Sequence, residues 1–217
     1  MHRDAHLEDF QRLAGLLSRG SRAVVVAIRH ASAALLDADA GQISAAGAQR
    51  SVITALHREI DTLVPVLLAR QQPVASDLRL VVAAVRMNAD IERMGALAGH
   101  IARVAGDRHP RCAVPAPARR LVAALAEVAT VLAERSSVVL ATRDPVAALQ
   151  LGLDDDVTDD LQRQLFALLA GDWPFGTQAA IDVAMVGRFY ERFADHSVSV
   201  GRQVAYLVTG SVATGRF

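Results

Sequence analysis

Glu191 and Asp195 stand four residues apart, and so do Asp156 and Asp160. On a helix, each pair projects two carboxylates from one face, one turn apart. Like charges at that spacing repel by about 0.2–0.5 kcal/mol on an exposed helix. Packing the two pairs against each other adds to the repulsion unless a cation sits between them. Asp156, Asp160, Glu191 and Asp195 are therefore the candidate metal ligands of the back half. The competing account is a solvated acidic face: Asp154, Asp155, Asp156, Asp159 and Asp160 crowd one segment, and Arg163 and Arg192 can neutralise part of it. The Glu-x-x-His pair of di-iron bundles is absent from the chain, which argues against a ferritin-like oxidase.

Other chemistry finds little support. The chain has no Gly-x-Ser-x-Gly elbow, no P-loop and no Gly-x-Gly-x-x-Gly, so the familiar nucleophile and nucleotide signatures are missing. The single cysteine, Cys112, has no disulfide partner within the chain and lacks the Cys or His spacing of a zinc site. Asp77, four residues after Pro73, falls in the first turn of its helix, where the helix dipole favours a carboxylate. Trp173, between helices, reads as a packing anchor. All 23 basic residues are Arg, balanced by 23 acidic ones, and no Arg-rich run stands out to neutralise a nucleic-acid backbone, so nucleic acid is excluded as a direct partner. No segment approaches the ~20 apolar residues of a membrane span. The N-terminus lacks the apolar run of a signal peptide. The expected location is the cytoplasm, with membrane contact only through partners.

The elements that must position these carboxylates are helices. Hydrophobic residues make up 52% of the chain and aromatic ones only 4%, with abundant Ala, Leu and Val. Apolar residues recur at helical spacing over 7–36, 43–69 and 73–105. Three prolines in 106–117 then interrupt the pattern. It resumes over 119–141, 145–170 and 174–208, with Asp144 and Pro145 as an N-cap and first helical residue. Helices this long with one apolar stripe need partners, and short connections make neighbours antiparallel. The fold expected is all-α, two tandem three-helix bundles over 1–109 and 110–217.

The halves are copies. Glu92-Arg93 and Glu191-Arg192 are separated by 99 residues, as are Asp61 and Asp160. The same offset maps Asp156 to His57 and Asp195 to Ala96. The front copy has thus lost one carboxylate and exchanged another for an imidazole. His57, Asp61 and Glu92 form a weaker candidate metal site, with donors that suit zinc or iron.

Three segments give this pattern a family likeness. Gln72-Pro73-Val74-Ala75-Ser76-Asp77-Leu78-Arg79, Asn88-Ala89-Asp90-Ile91-Glu92-Arg93-Met94-Gly95 and Phe189-Tyr190-Glu191-Arg192-Phe193-Ala194-Asp195-His196 resemble the signature segments of the PhoU family. The resemblance spans nearly the whole chain, duplication included. It implies two three-helix bundles and an accessory regulator without enzymatic activity. It implies contacts with the ATPase subunit of the high-affinity phosphate ABC transporter and with a phosphate-sensing histidine kinase, and repression of the phosphate-starvation response. A homodimer is a further expected assembly. Some members carry metal clusters on a Glu/Asp-x-x-x-Asp motif in each repeat. Glu191 and Asp195 keep that motif, Asp156 and Asp160 match the acidic positions of the preceding helix, and Ala96 and His57 depart from it. The expected cation is iron, zinc, magnesium or manganese. The alternative function is a carboxylate-rich metal-binding bundle with a storage or redox role.

Overall fold

Two non-glycine residues with left-handed backbone end the first helix of each half: Ala38 at φ 53° and Arg143 at φ 56°. The next residue in each case is an aspartate that caps the following helix. Asp39 Oδ1 accepts from the backbone N–H groups of Gly41 (2.7 Å) and Gln42 (3.1 Å). Asp144 Oδ1 accepts from those of Val146 (2.9 Å) and Ala147 (3.2 Å), with Pro145 opening the helix as the sequence leads one to expect. A reversal plus a cap in two residues is what makes consecutive long helices antiparallel here.

The computed structural model describes residues 2–71, 76–153 and 156–211, with side chains over 8–69, 76–152 and 157–211. Its helices are α1 (His2–Asp37), α2 (Ala40–Gln71), α3 (Ser76–Arg108), α4 (Ala116–Thr142), α5 (Pro145–Gln150), α6 (Asp156–Ala170) and α7 (Gly176–Thr209). Among the described residues there is no strand, and no helix is long and apolar enough to cross a membrane. Helices α1, α2 and α3 pack on one another, as do α4, α5, α6 and α7, giving two three-helix bundles in which α5 and α6 together stand for one helix.

That interruption departs from the continuous helix expected over 145–170. Its cause lies in the spacing of the halves. The caps Asp39 and Asp144 are 105 residues apart, whereas the ends of the second helices, Gln71 and Ala170, are 99 apart. Six residues are therefore missing from the back copy, and they are missing inside this element. Six fewer α-helical residues shorten a rod by about 9 Å. The chain leaves the α-helix at Gln150 and passes through a 3₁₀ turn, Leu151–Leu153, whose rise per residue is greater. The turn is pinned to α7: Leu151 is fully buried, and a Cβ on Gly201 would lie 2.7 Å from its Cδ1. Likewise a Cβ on Gly187 would lie 2.7 Å from Leu165 Cδ2, so glycine is what lets α6 sit closely on α7.

The bundles meet through α1 against α4 and α3 against α7, each helix beside its own counterpart in the other half. One apolar cluster runs through both bundles, from Leu13, Ile28 and Ile60 to Leu125, Tyr190 and Phe193. Polar clasps fix the register. Ser32 and Tyr190 share a buried hydroxyl hydrogen bond of 2.9 Å. His196 Nδ1 donates to Asp90 Oδ1 (2.9 Å), and Ser199 Oγ to Asp90 Oδ2 (2.7 Å). Arg108 donates to both oxygens of Asp182, at 2.6 and 3.2 Å. Helix α2 lies outside α1 and α3, and α6 outside α4 and α7, so each candidate metal site falls on an outer groove.

Candidate functional site

In the back groove Glu191 and Asp195 leave α7 one turn apart. Glu191 is buried: its Oε1 accepts from Arg188 Nη1 (2.6 Å), and its Oε2 is shielded from water without a hydrogen-bond partner. Burial is the main cause that pushes the Glu191 carboxyl above its ordinary range; Asp195 adds to it, Arg188 opposes it, and Asp159 adds again. Asp195 stands at the exposed rim of α7, yet its carboxyl is also raised, first by desolvation, with His196 opposing and Asp159 adding. The three carboxylates therefore share one field, which is the electrostatic condition for attracting a cation.

From α6 the residue that feels this field is Asp159. Asp160 is exposed and ion-paired with Arg163 on its own helix. The side chain of Asp156 lies outside the described residues. It stands three positions before Asp159, on the same helical face. Spacing by four joins Asp156 to Asp160 as readily as spacing by three joins it to Asp159. The rotation of α6 about its axis, set by Leu165 against Gly187, selects between them.

The front groove is arranged differently. His57 Nε2 lies 3.2 Å from Asp61 Oδ2, one turn along α2, and Asn88 Nδ2 donates to Asp61 Oδ1 (3.0 Å) and to the His57 carbonyl (3.3 Å). Glu92 does not join them. It is ion-paired with Arg50 of α2, whose guanidinium also reaches the Glu92 carbonyl at 3.4 Å. With Ala96 in place of a carboxylate, the cation facing Glu92 is a side chain of the protein. Among the described residues no three His, Cys, Asp or Glu side chains converge closely enough to hold a metal ion. Cys112, within 3.6 Å of the Leu35 and Leu36 carbonyls, and Arg119, bonded to the Leu36 carbonyl and Asp37, tie the connecting segment to the end of α1.

Comparison with known proteins gives one answer. The PhoU domain matches residues 17–105 and 122–204. The two matches begin 105 residues apart and end 99 apart, the same shortfall that interrupts the helix between α5 and α6. The chain is 39% identical over 213 residues to phosphate-specific transport system accessory protein PhoU homolog 1 of Mycobacterium tuberculosis, covering 98% of this chain and 96% of that protein. It is 40% identical over 210 residues to PhoU homolog 2 of the same organism, covering 96% and 99%. The crystal structure of PhoU from Pseudomonas aeruginosa superposes with a TM-score of 0.82 at 27% identity, over 96% of this chain and 99% of that one. The phosphate transport system regulatory protein PhoU from Streptococcus pneumoniae has the same fold, with a TM-score of 0.82 at 18% identity.

Proposed function

The chain belongs to the PhoU family, and on that footing we propose that it couples the high-affinity phosphate ABC transporter to a phosphate-sensing histidine kinase, repressing the starvation response when phosphate is plentiful. The observation that carries this is the end-to-end match, both repeats included, to relatives whose names place them as accessories of phosphate transport. The protein acts in the cytoplasm, by docking on the ATPase subunit and on the kinase, and performs no covalent step. Deleting the gene, together with any second copy in the same genome, is expected to derepress phosphate-scavenging genes in phosphate-rich medium. Unchanged expression in that strain would overturn the reading. An affinity pull-down in high and low phosphate is expected to recover both partners, and the state of association with a second copy can be read from the same purified material.

A second reading is favoured by the partnerless Glu191 oxygen beside Asp195 and Asp159. Glu191 and Asp195, with Asp159 and Asp156 from α6, would hold a divalent cation, which would neutralise carboxylates that now oppose one another. Asp160 is available to it only if the Arg163 pair opens. His57 and Asp61 offer a poorer second place. Elemental analysis of protein purified without chelators is expected to show metal that is lost in a Glu191→Ala, Asp195→Ala variant. Metal in neither sample sinks this reading and leaves the regulator untouched.

A further inference from the structure

The loss of the carboxylate at position 96 leaves a different kind of site. Helix α3 presents Arg93, Ala96, His100 and Arg103 along one strip, with Arg50 of α2 on one side and Arg188 and Arg192 of α7 on the other. Two hollows, of about 450 and 540 Å³, meet over Ala96 and His100. Of the carboxylates near this strip, Glu92 is engaged with Arg50, Glu191 with Arg188, and Asp90 with His196 and Ser199, while Asp195 stands one turn from Arg192 on the neighbouring face of α7. Arg93, Arg103 and Arg192 have no ion-pair or hydrogen-bond partner among the described residues, and Glu191 and Asp195 feel Arg192 only through its field. The chain as a whole has no excess of positive charge, so this concentration of Arg is local.

The imidazole at the centre senses that local charge. The His100 pKa is lowered, first by burial and then by Arg103 and Arg50, with no carboxylate acting in the opposite direction. Its ring, which lines both hollows, stacks on Phe189 of α7, with centroids 5.3 Å apart. Guanidinium groups bind phosphoryl oxygens through paired N–H donors. Hollows of this volume fall in the usual range for small-ligand sites. Ten residues of helix separate Arg93 from Arg103, about 15 Å along the axis. A single phosphate is too short to meet both ends of that strip, whereas linked phosphoryl groups can contact Arg93 and Arg103 together where the two long side chains reach inward over Ala96.

We propose that the groove between α2, α3 and α7, centred on Ala96 and His100, binds a linear anion of several linked phosphoryl groups, held by Arg93, Arg103 and Arg192. The anion is either an inorganic polyphosphate chain or the phosphate tail of a nucleotide. Titration calorimetry on the intact protein at about 0.15 M salt with orthophosphate, inorganic triphosphate and ATP distinguishes the sources. Saturable binding of triphosphate, with orthophosphate much weaker, is the expected result. ATP binding more tightly than triphosphate points to the nucleotide, and equal affinity to the bare chain. Arg93→Gln and Arg103→Gln are each expected to weaken binding by about tenfold. Arg12→Gln, which removes an exposed pair with Glu59 elsewhere, is expected to leave it unchanged. Circular dichroism of each variant separates lost affinity from lost folding. No saturable binding of triphosphate or ATP overturns the proposal, as does binding that survives Arg93→Gln with Arg103→Gln. So does capture of a Glu-rich peptide alone, which would make the groove a protein-docking surface. Because the measurement uses purified protein, its failure is distinct from failure of the regulatory reading, which is tested by gene expression.

Discussion

At Glu191 burial and like charge act in the same direction, and both oppose ionisation. Asp195 shares the same condition. A carboxyl whose pKa is raised by folding contributes stability below its unfolded value and loses that contribution as pH rises through the folded value. At neutral pH the back groove is therefore a site of stored repulsion. Asp195→Asn is expected to stabilise the metal-free protein at pH 7 by about 0.2–0.5 kcal/mol, the scale of one like-charge pair on a helix. The advantage should shrink as pH falls toward the ordinary carboxylate range, where the native carboxyls become neutral. Urea unfolding of both proteins at neutral and mildly acidic pH checks this; a destabilised variant at pH 7 would show that Asp195 is held by attraction. The sequence already displayed the Glu191 and Asp195 pair, because spacing along one helix is enough to place them on one face. It did not display Asp159. Neighbouring residues on a helix point about 100° apart, and which one faces α7 depends on packing that no spacing encodes. The Arg50 and Glu92 pair was hidden for the same reason, since its members lie 42 residues apart on different helices.

Among the elements, α3 and α7 carry the most consequential contact, because their buried polar groups allow one register. Asp90 holds His196 and Ser199 together across the junction of the halves. Asp90→Ala leaves a buried donor, His196, and a half-buried one, Ser199, without their acceptor and is expected to cost about 1–3 kcal/mol in chemical denaturation. Arg12→Ala, at an exposed pair, should cost less than about 1 kcal/mol. Equal effects would mean that the clasp is solvated and contributes no more than a surface contact. Helix boundaries were legible within a few residues from apolar spacing, prolines and the Asp144 cap. The interruption between α5 and α6 was not. Apolar residues continue through Ala147, Ala148, Leu149, Leu151 and Leu153, so periodicity runs on across a change of helix type. A single offset of 99 concealed it, since that offset holds only beyond the break. The left-handed residues Ala38 and Arg143 reveal the second offset of 105.

For the molecule as a whole, the pairing of each central helix with its own counterpart means that the apolar face of one bundle is the lid of the other. Heating should give one cooperative transition by circular dichroism; two separated transitions would show that the bundles unfold independently. The covalent link between them then becomes a convenience of synthesis. Cleaved in the segment between Arg108 and Ala116, the protein should stay together as a complementing pair of fragments. Residues 1–110 and 111–217, expressed from separate messages, should find each other and reconstitute the fold, which gel filtration of the mixture against each fragment alone would reveal. A repeat that arose by duplication would in that case behave as a heterodimer whose two subunits happen to share one chain.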